Sequence, residues 1–207
     1  MDTQVITPPA SSSQLLRQQL RQQVRYARQQ LSPQQQQHAA QQLSLRLQAL
    51  PLIQHSQHIA IYLANDGEID PQPFIEWLWL QGKSVYLPVL HPFSKGHLLF
   101  LHYDATTPMT TNRYHIREPK LDVRRVKPIA ELDIICTPLV AFDGTGQRLG
   151  MGGGYYDRTL SQWHQHRQGP YPIGIGHDCQ YLSQLPNEKW DVPLPLVITP
   201  NHQFIEA

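Results

Sequence analysis

Residues 138–158 read PLVAFDGTGQRLGMGGGYYDR, and the fold of the chain turns on how this stretch is parsed. An apolar run from Ile134 to Phe142, interrupted by Pro138, enters as a strand. Asp143-Gly144-Thr145-Gly146 makes a turn, Arg148 follows, and then comes a glycine loop, Gly150-Met151-Gly152-Gly153-Gly154. From Tyr155 to about residue 166 the pattern is helical, with Tyr156, Leu160 and Trp163 on one face, which leaves Tyr155 to point elsewhere. Glycines have no Cβ and adopt φ > 0 freely, so successive N–H groups can converge on an anion. The helix that follows adds its own unpaired N–H groups and a partial positive charge. Such a loop serves either as an anion cradle or as a tight connection. A Walker loop would need a lysine that is missing here, and Tyr155 occupies the third glycine of a dinucleotide fingerprint.

Outward from this segment, short apolar runs alternate with helical patterns. Residues 59–63, 84–87, 98–103, 173–176 and 196–199 read as strands, and 71–81 as a helix that stops at Gly82. Residues 91–96 and 106–111 read as surface loops. The N-terminal third is rich in glutamine, yet Leu16, Leu20, Val24, Ala27 and Leu31 recur at helical spacing. Ser32-Pro33-Gln34-Gln35 supplies a capping box, and Ala39, Leu43, Leu47 and Leu50 continue a second helix to Pro51. The expected fold is therefore α/β: a single-domain three-layer sandwich with a mostly parallel central sheet and helices on both faces, preceded by an N-terminal helical pair. Residues 1–13 read as a disordered tail and 14–207 as one domain.

Composition excludes several classes. Seventeen basic and sixteen acidic residues leave a net charge of +1, which gives no general attraction to nucleic acid or anionic membrane. No apolar run is long enough to span a bilayer, and the start of the chain lacks a signal-peptide pattern, so a cytoplasmic protein is expected, and it is taken as a monomer. Cys136 lies in an apolar run and reads as an inert buried thiol. His55 and His58 sit three apart in polar surroundings without a carboxylate, a weak case for a metal. His177-Asp178 follows a late strand and reads either as a pocket border or as a turn cap. Arg17, Arg21, Arg25 and Arg28 each fall one residue past an apolar position, along the rim of the first helix. That row is either a solvated face or a phosphate contact. Asp157 is either a Mg²⁺ ligand or a first-turn acid complementing the helix dipole.

FDGTGQRLGMGGGYYDR, together with YLANDGEID, VYLPVL, IREPKLD and WDVPLPLVIT in the same order, resembles the 5-formyltetrahydrofolate cyclo-ligase (5,10-methenyltetrahydrofolate synthetase) family from about residue 14 to 199. The resemblance implies ATP- and Mg²⁺-dependent cyclisation of 5-formyltetrahydrofolate to 5,10-methenyltetrahydrofolate through phosphorylation of the formyl oxygen. It implies ATP contacts at Arg17, where the family more often has lysine, at Arg21, and from Arg148 through Leu149, Gly150, Met151, Gly152, Gly153, Gly154 and Tyr155 to Tyr156. Met151 to Tyr155 would also meet the folate, with Leu63 and Glu68. Asp157 and Asp191 match its Mg²⁺-binding acids. Arg148, Glu68 and Tyr155 are the candidate catalytic residues. Two other readings remain: a sugar-phosphate isomerase-like enzyme, and a non-catalytic folate- or nucleotide-binding protein.

Overall fold

The computed structural model describes residues 12–205. The expected tail falls mostly outside them, but Ser12 and Ser13 already belong to the first helix, α1 (Ser12–Gln29). Helix α2 (Pro33–Gln48) starts on the expected capping box: Ser32 Oγ accepts Gln35 N–H at 3.2 Å, and Gln35 Oε1 accepts Ser32 N–H at 2.8 Å. Pro51 does not end helical structure; it opens a short helix, α3 (Pro51–His55), whose first position tolerates proline.

The rest alternates. Strand β1 (His58–Ala60) leads through α4 (Gln72–Leu80) to β2 (Ser84–Leu90), β3 (Leu98–Tyr103) and a small ribbon of β4 (Met109–Thr111) and β5 (Arg117–Pro119). Next come β6 (Val126–Lys127), β7 (Ile134–Pro138) and a two-residue hairpin of β8 (Ala141–Phe142) and β9 (Arg148–Leu149). Helix α5 (Tyr155–His166), β10 (Tyr171–Ile175), β11 (Leu196–Ile198) and β12 (Gln203–Ile205) complete the order. The expected loop over 106–111 is thus partly a strand. Its threonines pair with β5 rather than with the main sheet, and its register is set by contacts no local pattern reveals.

The main sheet runs β12-β11-β10-β7-β1-β2-β3-β6. The five central strands are parallel, and antiparallel strands close both edges. Ile59 sits between Val85 and Ile134, which fixes the register at the centre. Side chains alternate between two layers. Ile59, Val85, Leu87, Cys136, Ile173 and Ile198 pack with Leu43 and Leu47 of α2 and Phe74 and Leu78 of α4. Ala60, Tyr86, Ile135 and Val197 face the other way, against Leu160 of α5. Helices therefore cover both faces of a mostly parallel sheet. Cys136 is buried here, and desolvation pushes its thiol up to about 12.

The strand order dictates where a ligand can enter. The chain goes from β1 outward to β2, then returns to the other side of β1 as β7. Connections leave in opposite directions from the carboxyl ends of β1 and β7, opening a crevice between them. No helix among the described residues is long and apolar enough to cross a membrane.

Candidate active site

A cavity of about 1170 Å³ lies at this switch point. Its walls are the turn after β1, the facing ends of β2 and β3, Pro138 at the end of β7 with Leu139 and Val140 after it, the glycine loop, one face of α1 and residues 189–192 before β11.

The glycine loop forms the floor. Gly152 and Gly154 have φ of +94° and +64°, a region that a side chain makes costly, and Gly154 is the N-cap of α5 with no side-chain cap. The first N–H groups of α5 are thus left for a ligand, with the positive end of the helix behind them. Arg158 reaches back to Gly153 O and donates through Nε to Gly96 O at 2.8 Å, so it ties the loop to the β2–β3 connection. Arg148 is nearly buried, and its Nη2 donates to Asp157 Oδ1 at 2.6 Å. Burial pushes its guanidinium below the ordinary arginine range, while Asp157 and Asp191 hold it up. Its Nε is buried without a partner among the described residues.

Helix α1 carries its arginines along the rim of its apolar stripe and turns Arg17, Arg21 and Arg25 toward the cavity. Arg17 and Arg28 are buried, while Leu16, expected on the buried stripe, is 45% exposed. The predicted stripe is kept farther along the helix, where Val24 is 2% exposed and packs with Leu20, so the arginines flank that stripe rather than replace it. Arg17 makes a fork with Asp191, at 2.5 and 2.9 Å, and Nη1 also donates to Pro186 O. Arg21 Nε donates to Gly150 O at 2.7 Å, and its Nη2 lies against the bare Cα of Gly152. Burial and the charge of Arg17 push the Arg21 guanidinium down, so this corner is short of negative charge. An anion is the ligand such a corner would take.

Two carboxylates are too few for an all-protein cation cage, and no cluster of three or more His, Cys, Asp or Glu occurs among the described residues. Mg²⁺ suits such a set, since it commonly takes one or two carboxylates with phosphate oxygens and water. The two acids are not equivalent. Asp191 gives both oxygens to Arg17 and accepts Glu188 N–H at 2.9 Å. Asp157 uses Oδ1 for Arg148 and, at 3.4 Å, Val192 N–H, so its Oδ2 is the better-placed donor.

Across the cavity, Glu68 stands on the turn after β1. Its Oε2 accepts Asn65 N–H at 3.1 Å. Desolvation raises its carboxyl to about 7, despite the opposing charge of Arg28. The turn is knotted to α1 by Asp66, a non-glycine residue with φ of +52°. Asp66 accepts Arg25 Nε at 2.6 Å, Arg28 Nη2 at 3.1 Å and Gln29 Nε2 at 2.6 Å, and its carbonyl accepts Arg28 Nη2 at 2.6 Å.

Tyr155 and Tyr156 do not divide between ligand and core as expected; both line the cavity and both touch the α5-side core. At the start of a helix, neighbouring side chains diverge by only part of a turn, and the mouth is wide enough to meet both. The Tyr155 hydroxyl accepts from Arg113 Nη2 at 3.0 Å and lies 3.1 Å from the Tyr114 hydroxyl, so the β4–β5 connection roofs the site.

Of the residues singled out in the sequence, Arg17, Arg21, Leu63, Glu68, Arg148, Gly150, Met151, Gly152, Gly153, Gly154, Tyr155, Tyr156, Asp157 and Asp191 line this one cavity. Leu149 does not: it is 1% exposed and packs with Val24, Val140 and Leu185. His177 is buried beside Arg28 and lies outside the lining, while Asp178 caps the C-terminal turn by accepting from Thr199 and Asn201. His58 Nδ1 pairs with the Tyr86 hydroxyl at 3.0 Å, and His55 Nδ1 with Pro51 O. Sequence reasoning missed Asp66, Tyr114, Glu118 and Trp190. Only Asp66 carried a local signal, the Asn-Asp-Gly turn; the others are brought in by long-range packing.

Comparison with known proteins places the chain in a family. Residues 13–200 match the model of the 5-formyltetrahydrofolate cyclo-ligase family. The chain is 53% identical over 178 residues to the 5-formyltetrahydrofolate cyclo-ligase of Escherichia coli strain K12, covering 86% of this chain and 97% of that one. It is 52% identical to the enzyme of the same name from Haemophilus influenzae, covering 86% and 94%. Among solved structures, the 5,10-methenyltetrahydrofolate synthetase of Aquifex aeolicus superposes with a TM-score of 0.77 at 27% identity, covering 92% of each chain. The synthetase of Mycoplasma pneumoniae gives 0.70 at 28% identity, covering 89% of this chain and 98% of that one.

Proposed function

Because the chain belongs to the 5-formyltetrahydrofolate cyclo-ligase family, we propose that it closes 5-formyltetrahydrofolate to 5,10-methenyltetrahydrofolate with ATP, releasing ADP and phosphate. The observation that carries this reading is the joining, in one cavity, of an anion-ready glycine loop with two flanking arginines and a half-buried carboxyl, Glu68, on the turn after β1.

A formamide carbon is a poor electrophile, because its nitrogen donates into the carbonyl. Transfer of the γ-phosphoryl group to the formyl oxygen makes that oxygen a leaving group. The 10-nitrogen then attacks the formyl carbon, loses its proton, and the C–O bond breaks to release phosphate. No protein nucleophile is required, so the residues act by position and charge. The α5 N-terminus and the amides of Gly152 to Gly154 hold phosphate oxygens. Arg148, with Arg21, faces the charge that develops during transfer. Bound Mg²⁺, held by Asp157 with Asp191 nearby, would neutralise phosphate charge. Glu68, with a carboxyl near neutrality, holds or receives a proton at the reacting nitrogens, and Leu63, Met151 and Tyr155 pack against the folate.

The test is to mix the protein, Mg²⁺-ATP and 5-formyltetrahydrofolate and follow the near-ultraviolet band of the methenyl product alongside ADP release. Both should rise together in equal amounts. Folate binding without that band would leave a storage protein, and turnover of a sugar phosphate without ATP would favour the isomerase.

A further inference from the structure

Trp190 is 68% exposed, yet it lines the same cavity as Arg17, Asp157 and Asp191. A tryptophan this open contributes little to a core; Trp163, by contrast, is 6% exposed and packs on Tyr171. The backbone that displays it is firmly held. Arg17 Nη1 donates to Pro186 O at 3.0 Å and to Asp191 Oδ2 at 2.5 Å. Asp191 Oδ2 accepts Glu188 N–H, Asp191 N–H donates to Glu188 O at 3.0 Å, and Ser13 Oγ donates to Glu188 Oε1 at 2.7 Å. An immobilised turn thus presents a bare indole next to the carboxylate–guanidinium fork.

The cavity does not stop at the phosphate cradle. Asp157, Ser161, His164 and Gln165 lie at i, i+4, i+7 and i+8 on one side of α5 and all line it, as does Gln14 of α1. The groove therefore follows α5 for about 15 Å from its N-terminus, at 1.5 Å per residue. Amide side chains along it supply both donors and acceptors. The folate-side wall is built from other elements: the turn after β1, the end of β2 and the β4–β5 ribbon.

We propose that Trp190 is the platform on which the nucleotide's purine base stacks, with the α5 flank bordering the base and the glycine loop holding its phosphates. The proposal rests on the reading that this cavity binds ATP. Base–aromatic stacking needs only the π-face of the base, so an exposed indole is sufficient for it.

Two ligands separate base from phosphate. Binding of ATP and of inorganic tripolyphosphate, each with Mg²⁺, is measured by calorimetry for the full chain, Trp190→Ala and Trp190→Phe, and tryptophan fluorescence is followed in parallel. The expected result is an ATP affinity about tenfold or more weaker in Trp190→Ala, the scale of one lost base stack, with tripolyphosphate affinity unchanged. Trp190→Phe should keep most ATP affinity while losing the ATP-dependent fluorescence change. An ATP affinity unaltered in Trp190→Ala overturns the platform and leaves the ligase reading intact. Equal losses for ATP and tripolyphosphate overturn it too, because the residue would then only be shaping the turn. A parent protein that binds no ATP overturns the nucleotide reading, and the platform with it.

Discussion

Arg148 illustrates how one side chain couples packing to chemistry. It is 5% exposed and bonded to Asp157, so its charge is already aimed and desolvated before a ligand arrives. Arg148→Ala should slow the chemical step by about 2–4 kcal/mol of barrier, the scale for one preorganised charge partner, with a smaller change in substrate affinity. Single-turnover kinetics check this. Glu68 illustrates the opposite case, a carboxyl whose charge burial opposes. Its folded value of about 7 lies above the ordinary 4.5, so the native state holds its proton longer than the unfolded chain does. The Glu68 contribution to stability is present in full below pH 4.5 and lost as pH rises through 7. Glu68→Gln should therefore melt higher than the parent at pH 8 by about 2–4 °C, the shift of ~1 kcal/mol in a domain of this size. It should melt no higher at pH 4.5. The same variant should lose about a hundredfold in kcat/KM and the rate limb centred near pH 7.

At the scale of elements, α1 acts as a brace between the two ends of the site. Its N-terminal half places Arg17 on Asp191 and Arg21 on the glycine loop, and its C-terminal half places Arg25, Arg28 and Gln29 on Asp66, two residues from Glu68. Arg28 is 1% exposed, and its Nε and Nη1 have no partner among the described residues, so its charge depends on Asp66. Asp66→Ala leaves that charge buried and should cost about 3 kcal/mol in denaturant unfolding. Combining Asp66→Ala with Arg28→Met removes the orphaned charge along with its partner, and should recover most of the loss. If the double variant is as unstable as the sum of the singles, the two residues do not form the proposed unit.

For the molecule as a whole, the acid limit of stability should be set in part by His177. It is buried beside Arg28, and desolvation pulls its imidazole down to about 4. Because this lies below the ordinary 6.5, the unfolded chain takes up more protons between those values. The contribution of neutral His177 is present above pH 6.5 and lost as pH falls through 4. Thermal melts from pH 4 to 7 should show a shallower acid decline in His177→Gln than in the parent, whatever their difference at pH 7. The five parallel strands and the switch between β1 and β7 fix where the crevice opens, and relatives with TM-scores of 0.77 and 0.70 share that frame.

Much of this is legible in the sequence alone. The glycine loop and the helix after it were readable, because local backbone requirements select glycine and a 3.6-residue period marks α5. The Ser32 capping box and the alternation of strands and helices were readable for the same reason: each depends on neighbours in sequence. The partners of the α1 arginines were not, since Asp191, Gly150 and Asp66 lie far away along the chain. Nor was the β4–β5 roof over Tyr155, the burial of Leu149 away from the site, or the seating of Asp66, Tyr114 and Trp190 around one cavity. Those placements join residues tens to more than a hundred positions apart. Only long-range packing selects among the many ways a chain could bring such residues together.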